Sequence, residues 1–492
     1  MNLAIAFDQS TRRHSQSPAL FWGETEFTYQ MMQERVCTAG SALQTLFQVK
    51  EGDRVAVWLR NCPEFAAVAL GILWIGGVLV PINNFLKPEE VLHILNDAGI
   101  DVLVAEEATR DQWVRLLPRR PSLKVLTIEE LAVLPRGNCC ANVTRCPEDL
   151  AVIIYTSGTT GKSKGAMLTH SNLLANVESC RQVLQAVDSD RFIVLLPLFH
   201  SFMMTVGLLL PLLVGGSILL VRSLHPAKNI LQEIMLRGGT ILPAIPQFFR
   251  TLAVAGVPPG FPVRICISGA APLPGEILRE FNEKVAGIPL LEGYGLSEAS
   301  PVVSINPIRG PWKPGSIGIP IPDVEVSVQD EDGQILGPGA TGEICVRGAN
   351  VMVGYWNQPE ETAKALVKGW LRTGDVGHRD TDGYFYITDR KKDMLLVNGI
   401  NVYPREIEEV IYQYPGVKEA AVVGLQDPRK GEMPVAFVVA NEGASIDERA
   451  VVAFLRDKLA DYKVPRRVVH LAALPRNATG KVLKGELRQT SL

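Results

Sequence analysis

Short apolar runs alternate with longer segments of helical periodicity along the first 390 residues or so. Arg54–Leu59, Val78–Ile82 and Val102–Ala105 read as strands, and Glu64–Trp74 and Pro88–Asn96 as helices, the second opened by proline and two acids. Phe192–Pro197, Ser217–Val221, Thr240–Leu242 and Val263–Ile267 extend the strand series. Such alternation predicts parallel sheets covered by helices, an α/β architecture. Two apolar stretches, Phe65–Ile82 and Thr205–Val221, approach membrane-span length. Each is broken by a glycine pair, Gly76-Gly77 or Gly215-Gly216, and resumes as a β-type run, which predicts a buried helix turning into a buried strand. From Gly315 to Ile387 the runs shorten and alternate, as in Val324-Glu325-Val326-Ser327-Val328, predicting an antiparallel, barrel-like sheet. The charged run Asp389-Arg390-Lys391-Lys392-Asp393 reads either as a solvated turn or as a boundary. After it come the helix Pro404–Tyr414, the strands Glu419–Gly424 and Val435–Ala440, and the helix Ile446–Leu459, a compact α+β pattern. The expected organisation is a large domain over 1–388, a hinge at 389–392 and a small domain over 393–492.

Length supports that division, since single cores rarely exceed about 300 residues and the chain has 492. With 47% hydrophobic and 21% charged residues the composition is globular, not disordered. A net charge of −3 gives no broad basic surface, so nucleic acid is not an expected partner. Met1–Arg13 lacks the basic start and apolar core of a secretory signal, and the eight cysteines show no CxxC spacing. A cytoplasmic protein with reduced thiols is expected, with no transmembrane segment; peripheral membrane contact and a homodimer are compatible with the composition.

Candidate chemistry begins at Tyr155–Gly165, which follows the apolar strand Ala151–Ile154. Glycines, hydroxyls and two lysines make this loop dense in groups that bind phosphate. A Walker A loop would need glycine five residues before Gly161, where Thr156 stands. The segment instead resembles the signature loop of the adenylate-forming superfamily, with Ser163 where many members carry proline. Further segments match in the same order. Ser268-Gly269-Ala270-Ala271-Pro272-Leu273 resembles the turn beside adenine, and Glu292-Gly293-Tyr294-Gly295-Leu296-Ser297-Glu298 the next motif. Thr373-Gly374-Asp375, Arg390 and Pro475–Lys481 complete the set.

The resemblance is to the acyl-CoA synthetase branch, in particular bacterial medium- and long-chain fatty-acyl-CoA ligases. It implies ATP and Mg²⁺ as cofactors and CoA as a substrate. For ATP and AMP it implies Thr156, Ser157, Gly158, Thr159, Thr160, Gly161, Lys162, Lys164, Gly269, Ala270, Ala271, Glu292, Gly293, Tyr294, Gly295, Ser297, Asp375 and Arg390. Tyr294 would pack on adenine, Ser297 touch the α-phosphate, and Asp375 accept the ribose hydroxyls. Glu298 and Thr159 would face Mg²⁺, a hard cation that needs oxygen ligands near the phosphates. Lys481 would bridge the acid's carboxylate and the α-phosphate. Lys392 falls at the hinge, and Gly399, in Val397-Asn398-Gly399-Ile400-Asn401, where a side chain would block the pantetheine tunnel. The small domain is therefore expected to be mobile. His200, in Pro197-Leu198-Phe199-His200-Ser201-Phe202, either gates the pocket and assists thiolation or is a structural histidine.

The wall expected to hold the acid is apolar, and Phe202, Met203, Ile245 and Phe248 are its candidates. No aspartate stands ready for an amino group and no cation for a second carboxylate, which favours an alkyl tail read by shape. Medium- or long-chain fatty acid is the leading expectation. Aryl acids, transfer to a carrier protein instead of CoA, and a non-catalytic binding protein on the same fold are the alternatives.

Overall fold

The computed structural model describes all residues except 136–139, 158–162, 224–226, 392, 398–399, 428–430, 477–479 and 491–492, with only the backbone of 157, 227, 427 and 431. Two large sheets, one smaller sheet and a separate terminal sheet build the molecule. In the seven-stranded sheet, Leu150–Ser157, Val78–Pro81, Arg54–Trp58, Val102–Ala105 and Lys124–Thr127 lie parallel in that spatial order. Beyond Leu150–Ser157 the chain turns back as Ser163–Thr169, antiparallel to it, and Gly354–Tyr355 adds the edge. The nine-stranded sheet is parallel from Pro18–Trp22 through Ser217–Leu220, Arg191–Val194, Ile241–Ala244 and Ile265–Ser268 to Leu290–Gly295. Antiparallel Val302–Ile305 and Ile319–Pro320 close one edge.

Between these sheets lies one continuous core containing the helices Tyr29–Leu46 and Pro63–Trp74. The second has no polar face, as a helix enclosed on all sides requires. The two helices approach closely because Gly71 carries no side chain: a Cβ there would meet Val36 O at 2.9 Å. Both suspect apolar stretches behave as their glycine pairs predicted. Gly76 and Gly215 take φ of +76° and +88°, ending each helix before the strands Val78–Pro81 and Ser217–Leu220. No described helix is long and apolar enough to cross a membrane.

The antiparallel expectation for 315–387 matches a five-stranded sheet formed by Val324–Gln329, Gly342–Gly348, Leu366–Val367, Trp370–Arg379 and Phe385–Arg390. Asp389 and Arg390 belong to its last strand, because Asp389 pairs with Val376 and Arg390 with Asp375. The small domain folds around Val417–Asp427 and Gly431–Ala440, backed by the helices Pro404–Tyr412 and Glu448–Arg456. Against the expectation of reduced thiols throughout, Cys37 on the helix Tyr29–Leu46 is disulfide-bonded, while Cys62, Cys140, Cys146, Cys180, Cys266 and Cys345 are free. Sequence spacing carries no information about which thiols the fold brings together.

Candidate functional site

A cavity of about 690 Å³ opens where strands of both large sheets end. Pro81, Thr156, Gly269 and Gly295 line it, each at or just beyond the carboxyl end of its strand. Lys481 reaches it from the small domain. The cavity also gathers Ala270, Gly293, Tyr294, Ser297, Glu298, Asp375, Arg390 and His200, which lie far apart in sequence. A second cavity of about 640 Å³, between the domains, is lined by Ala271, Glu292, Arg405 and Lys481 among others.

Small residues shape the first cavity. Gly295 admits no side chain, since a Cβ would sit 2.0 Å from Pro301 O. Ala270 takes φ of +64°, a left-handed conformation unusual for a residue with a Cβ, in the turn after the strand Ile265–Ser268. Tyr294 Oη donates to Asp375 Oδ2 at 2.6 Å, and Arg390 Nε lies 3.2 Å from Asp375 Oδ1. Burial and the Asp375 charge hold the Tyr294 phenol protonated by raising its pKa. Each carboxylate oxygen of Asp375 keeps a second lone pair for a further donor.

On the opposite side, Glu298 Oε1 accepts from Tyr355 Oη at 3.0 Å and Thr156 Oγ1 at 3.3 Å. Ser297 Oγ and Ser201 Oγ are 3.0 Å apart. Burial, then the Lys481 ammonium, lower the pKa of His200 to about 4, so its ring is neutral at ordinary pH. Nδ1 accepts from Phe202 N at 3.3 Å, which assigns the ring proton to Nε2. The loop bearing Lys481 is held by Arg476, whose guanidinium donates to Gly480 O and meets Glu419 at 2.9 Å. Glu292 is 5% exposed; burial raises its pKa to about 7 against Arg405, 3.8 Å away, and the Leu273 N–H at 3.1 Å.

Not every expected residue joins this group. Lys164 forms an ion pair over the Tyr355 ring with Glu361, on the helix Pro359–Ala365, and is not among the residues that line the cavity. Of the expected acyl wall, Phe202 lines the cavity, but Met203 is fully buried in the core. Residues 203–209 form a π-turn helix whose wider turn changes which side chains share a face. Phe248 packs edge-on against Phe249, away from both cavities. Ile245 lines the interdomain cavity, where a Cβ on Gly480 would meet its Cδ1 at 2.7 Å. Cys180, Val183, Leu184 and Val206 form the apolar wall instead. Gly158, Thr159, Thr160, Gly161, Lys162, Lys392 and Gly399 lie outside the described residues, as does the Ser157 side chain. Tyr355 and Arg405 escaped the sequence reading, since no local pattern marks either; Ser201 and Arg476 fall inside the segments around His200 and Lys481 but were given no role there.

Glu298, with hydroxyls beside it, presents hard oxygen donors that fit a divalent cation already carrying phosphate and water ligands. Among the described residues no three His, Cys, Asp or Glu side chains gather into a metal cluster.

Two family models match the chain: AMP-binding enzyme over residues 7–356 and AMP-binding enzyme C-terminal domain over residues 406–481. A long-chain-fatty-acid–CoA ligase of Bacillus subtilis is 36% identical, the match covering 89% of this chain and 86% of that one. A feruloyl-CoA synthase of Amycolatopsis is also 36% identical, covering 97% of each. Among solved structures, ATP-bound MatB from Rhodopseudomonas palustris superposes with a TM-score of 0.91 at 33% identity, covering 99% of each chain.

Proposed function

Since the chain belongs to the AMP-binding enzyme family, as an acid–thiol ligase acting through an acyl-adenylate, we propose that its acid is an apolar monocarboxylate, a medium- or long-chain fatty acid, and its acceptor CoA. One observation carries the choice of acid. The cavity joins a polar end, at His200, Lys481, Ser297 and Glu298, to a wall of Cys180, Val183, Leu184, Phe199, Phe202 and Val206. Those six side chains carry no charge to meet a second carboxylate or an ammonium, so an acid whose tail lies along them would be read by burial and shape, although Glu89, Glu90, His93 and Arg372 also line the cavity. An aryl acid is the second reading, favoured by the feruloyl-CoA synthase relative.

In the first half-reaction a carboxylate oxygen of the acid attacks the α-phosphorus of ATP. A new P–O bond forms, the bond to the β-phosphate oxygen breaks, and pyrophosphate leaves. Two anions must approach each other; Lys481, which lines the cavity, would offset their repulsion, and His200 Nε2–H would offer a neutral donor. Asp375 and Tyr294 would hold ribose and adenine. A divalent cation held at Glu298 would neutralise phosphate charge. No general base is needed, because the nucleophile is already ionised.

In the second half-reaction the CoA thiol gives its proton to solvent and its sulfur attacks the acyl carbon; the C–S bond forms, the bond from that carbon to the phosphate oxygen breaks, and AMP leaves. Lys481 then has to withdraw, which a rotation of the small domain about 389–392 would accomplish, and the segment carrying Gly399 would line the thiol's path. Lys481→Ala tests the assignment. Pyrophosphate release from acid plus MgATP should fall about 10²–10³-fold, the effect of removing one preorganised charge, while thioester formation from supplied acyl-AMP survives. Unchanged adenylation would refute the role. Assaying C8–C18 and aryl acids with and without CoA decides the acid, and turnover only onto a carrier protein would refute the CoA reading.

A further inference from the structure

Glu298 is not left to find its own orientation. Both of its side-chain hydrogen bonds, from Tyr355 Oη and Thr156 Oγ1, fall on Oε1, and among the described residues Oε2 accepts none. Two donors on one oxygen restrict rotation of the carboxylate and leave the other oxygen as the open ligand atom. All three residues line the cavity.

Tyr355 is itself firmly held. Gly354 and Tyr355 pair with Met167 and Ala166, on the strand that returns from the phosphate-loop segment. Tyr355 N donates to Thr362 Oγ1 at 2.8 Å, Trp356 N to Gly165 O at 2.7 Å, and Lys164 Nζ lies 5.4 Å from the Tyr355 ring centre. On the other side, Met352 N donates to Glu298 O at 2.8 Å. The short stretch 352–356 therefore grips both the hairpin that carries the phosphate loop and the turn that carries Glu298. A purely structural tyrosine would need neither its hydroxyl in the cavity nor a bond to that one carboxylate.

We propose that Tyr355 is a positioning residue that orients Glu298 to receive the divalent cation of the ATP complex and ties that orientation to the phosphate-loop hairpin. This rests on the reading of Glu298 as the cation's carboxylate. It assigns no group transfer to Tyr355; the phenol stays protonated and donates one hydrogen bond.

Tyr355→Phe keeps the ring, the Lys164 contact and the backbone pairing, and removes only the donor. Calorimetric titration of the full chain with ATP should show MgATP binding weakened about tenfold, the size expected for a hydrogen bond to a charged group. ATP in EDTA, and AMP, should bind within about twofold of wild type. Adenylation should show a raised KM for MgATP and a higher Mg²⁺ midpoint, while thiolation of supplied acyl-AMP is unchanged. Equal weakening with and without Mg²⁺, or no weakening, would overturn the proposal. Glu298→Gln separates the two layers. If Glu298→Gln leaves the difference between MgATP and ATP intact, the assignment of Glu298 is wrong; if it abolishes that difference and Tyr355→Phe does not, only the role of Tyr355 falls.

Discussion

Replacing Glu292 by glutamine should stabilise the nucleotide-free protein above pH 7 and change little near pH 5. The side chain is 5% exposed, and burial lifts its pKa from 4.5 to about 7 despite Arg405 at 3.8 Å and the Leu273 N–H. Glu409 adds repulsion to the same effect. At 3.8 Å the guanidinium is beyond hydrogen-bond reach, so it only partly compensates desolvation. A folded pKa above the unfolded one means that the native state holds this proton more tightly. Its contribution is fully present below pH 4.5 and is lost as pH rises through about 7. At about 1.36 kcal/mol per pKa unit the loss is on the order of 3 kcal/mol. Glutamine matches the shape, still accepts from Leu273 N and does not ionise, so its variant lacks this slope; Arg405 retains Glu409 as a neighbouring charge. Thermal or urea unfolding of both proteins from pH 5 to 8.5 gives the comparison. The midpoint difference should open by several degrees between pH 5 and 8. A difference that stays flat across that range would mean that Glu292 is ionised throughout and that Arg405 fully compensates it.

Filling the apolar wall tests the acid. Val206→Phe or Cys180→Phe should cut acyl-CoA formation from the longest accepted acids about tenfold or more, at an overpacking cost of about 1–3 kcal/mol, while shorter acids and the KM for ATP are spared; an unshifted chain-length profile would place the floor elsewhere. Arg476→Ala removes the support of the Lys481 loop at Gly480 O and Glu419. Adenylation should fall about tenfold with thiolation from acyl-AMP unaffected, measured as separate half-reactions; equal loss in both would make Arg476 a general stabiliser.

Much of the fold was legible because its elements are long and consistently patterned. The buried strand Val102–Ala105 falls where its apolar run predicted, and the Gly76 and Gly215 breaks separate helix from strand. The strand leading to the phosphate loop was foreseen as Ala151–Ile154 but extends over Leu150–Ser157, because pairing with Ser163–Thr169 continues through polar residues that no hydrophobic pattern marks. Conversely, the helix expected over Ile446–Leu459 narrows to Glu448–Arg456, with Asp447 capping it. The site divides in the same way. Glu298, Asp375, Arg390 and Lys481, each carried by a contiguous motif, line one cavity.

The sequence by itself determined the alternation of buried strands and helices, the small domain after the charged run, and the motif residues whose chemistry depends on their immediate neighbours. Only the tertiary structure decided which apolar side chains face the cavity. Phe202 and Val206 share the cavity wall while Met203 between them is buried in the core, a consequence of the π-turn that hydropathy does not encode. Only the tertiary structure, likewise, brought Tyr355 to Glu298 and Arg405 to Glu292, which lie 57 and 113 positions apart in the sequence. Local composition sets what each segment can bury; which distant groups meet depends on how sheets, hairpins and the small domain pack, and that is a property of the whole chain.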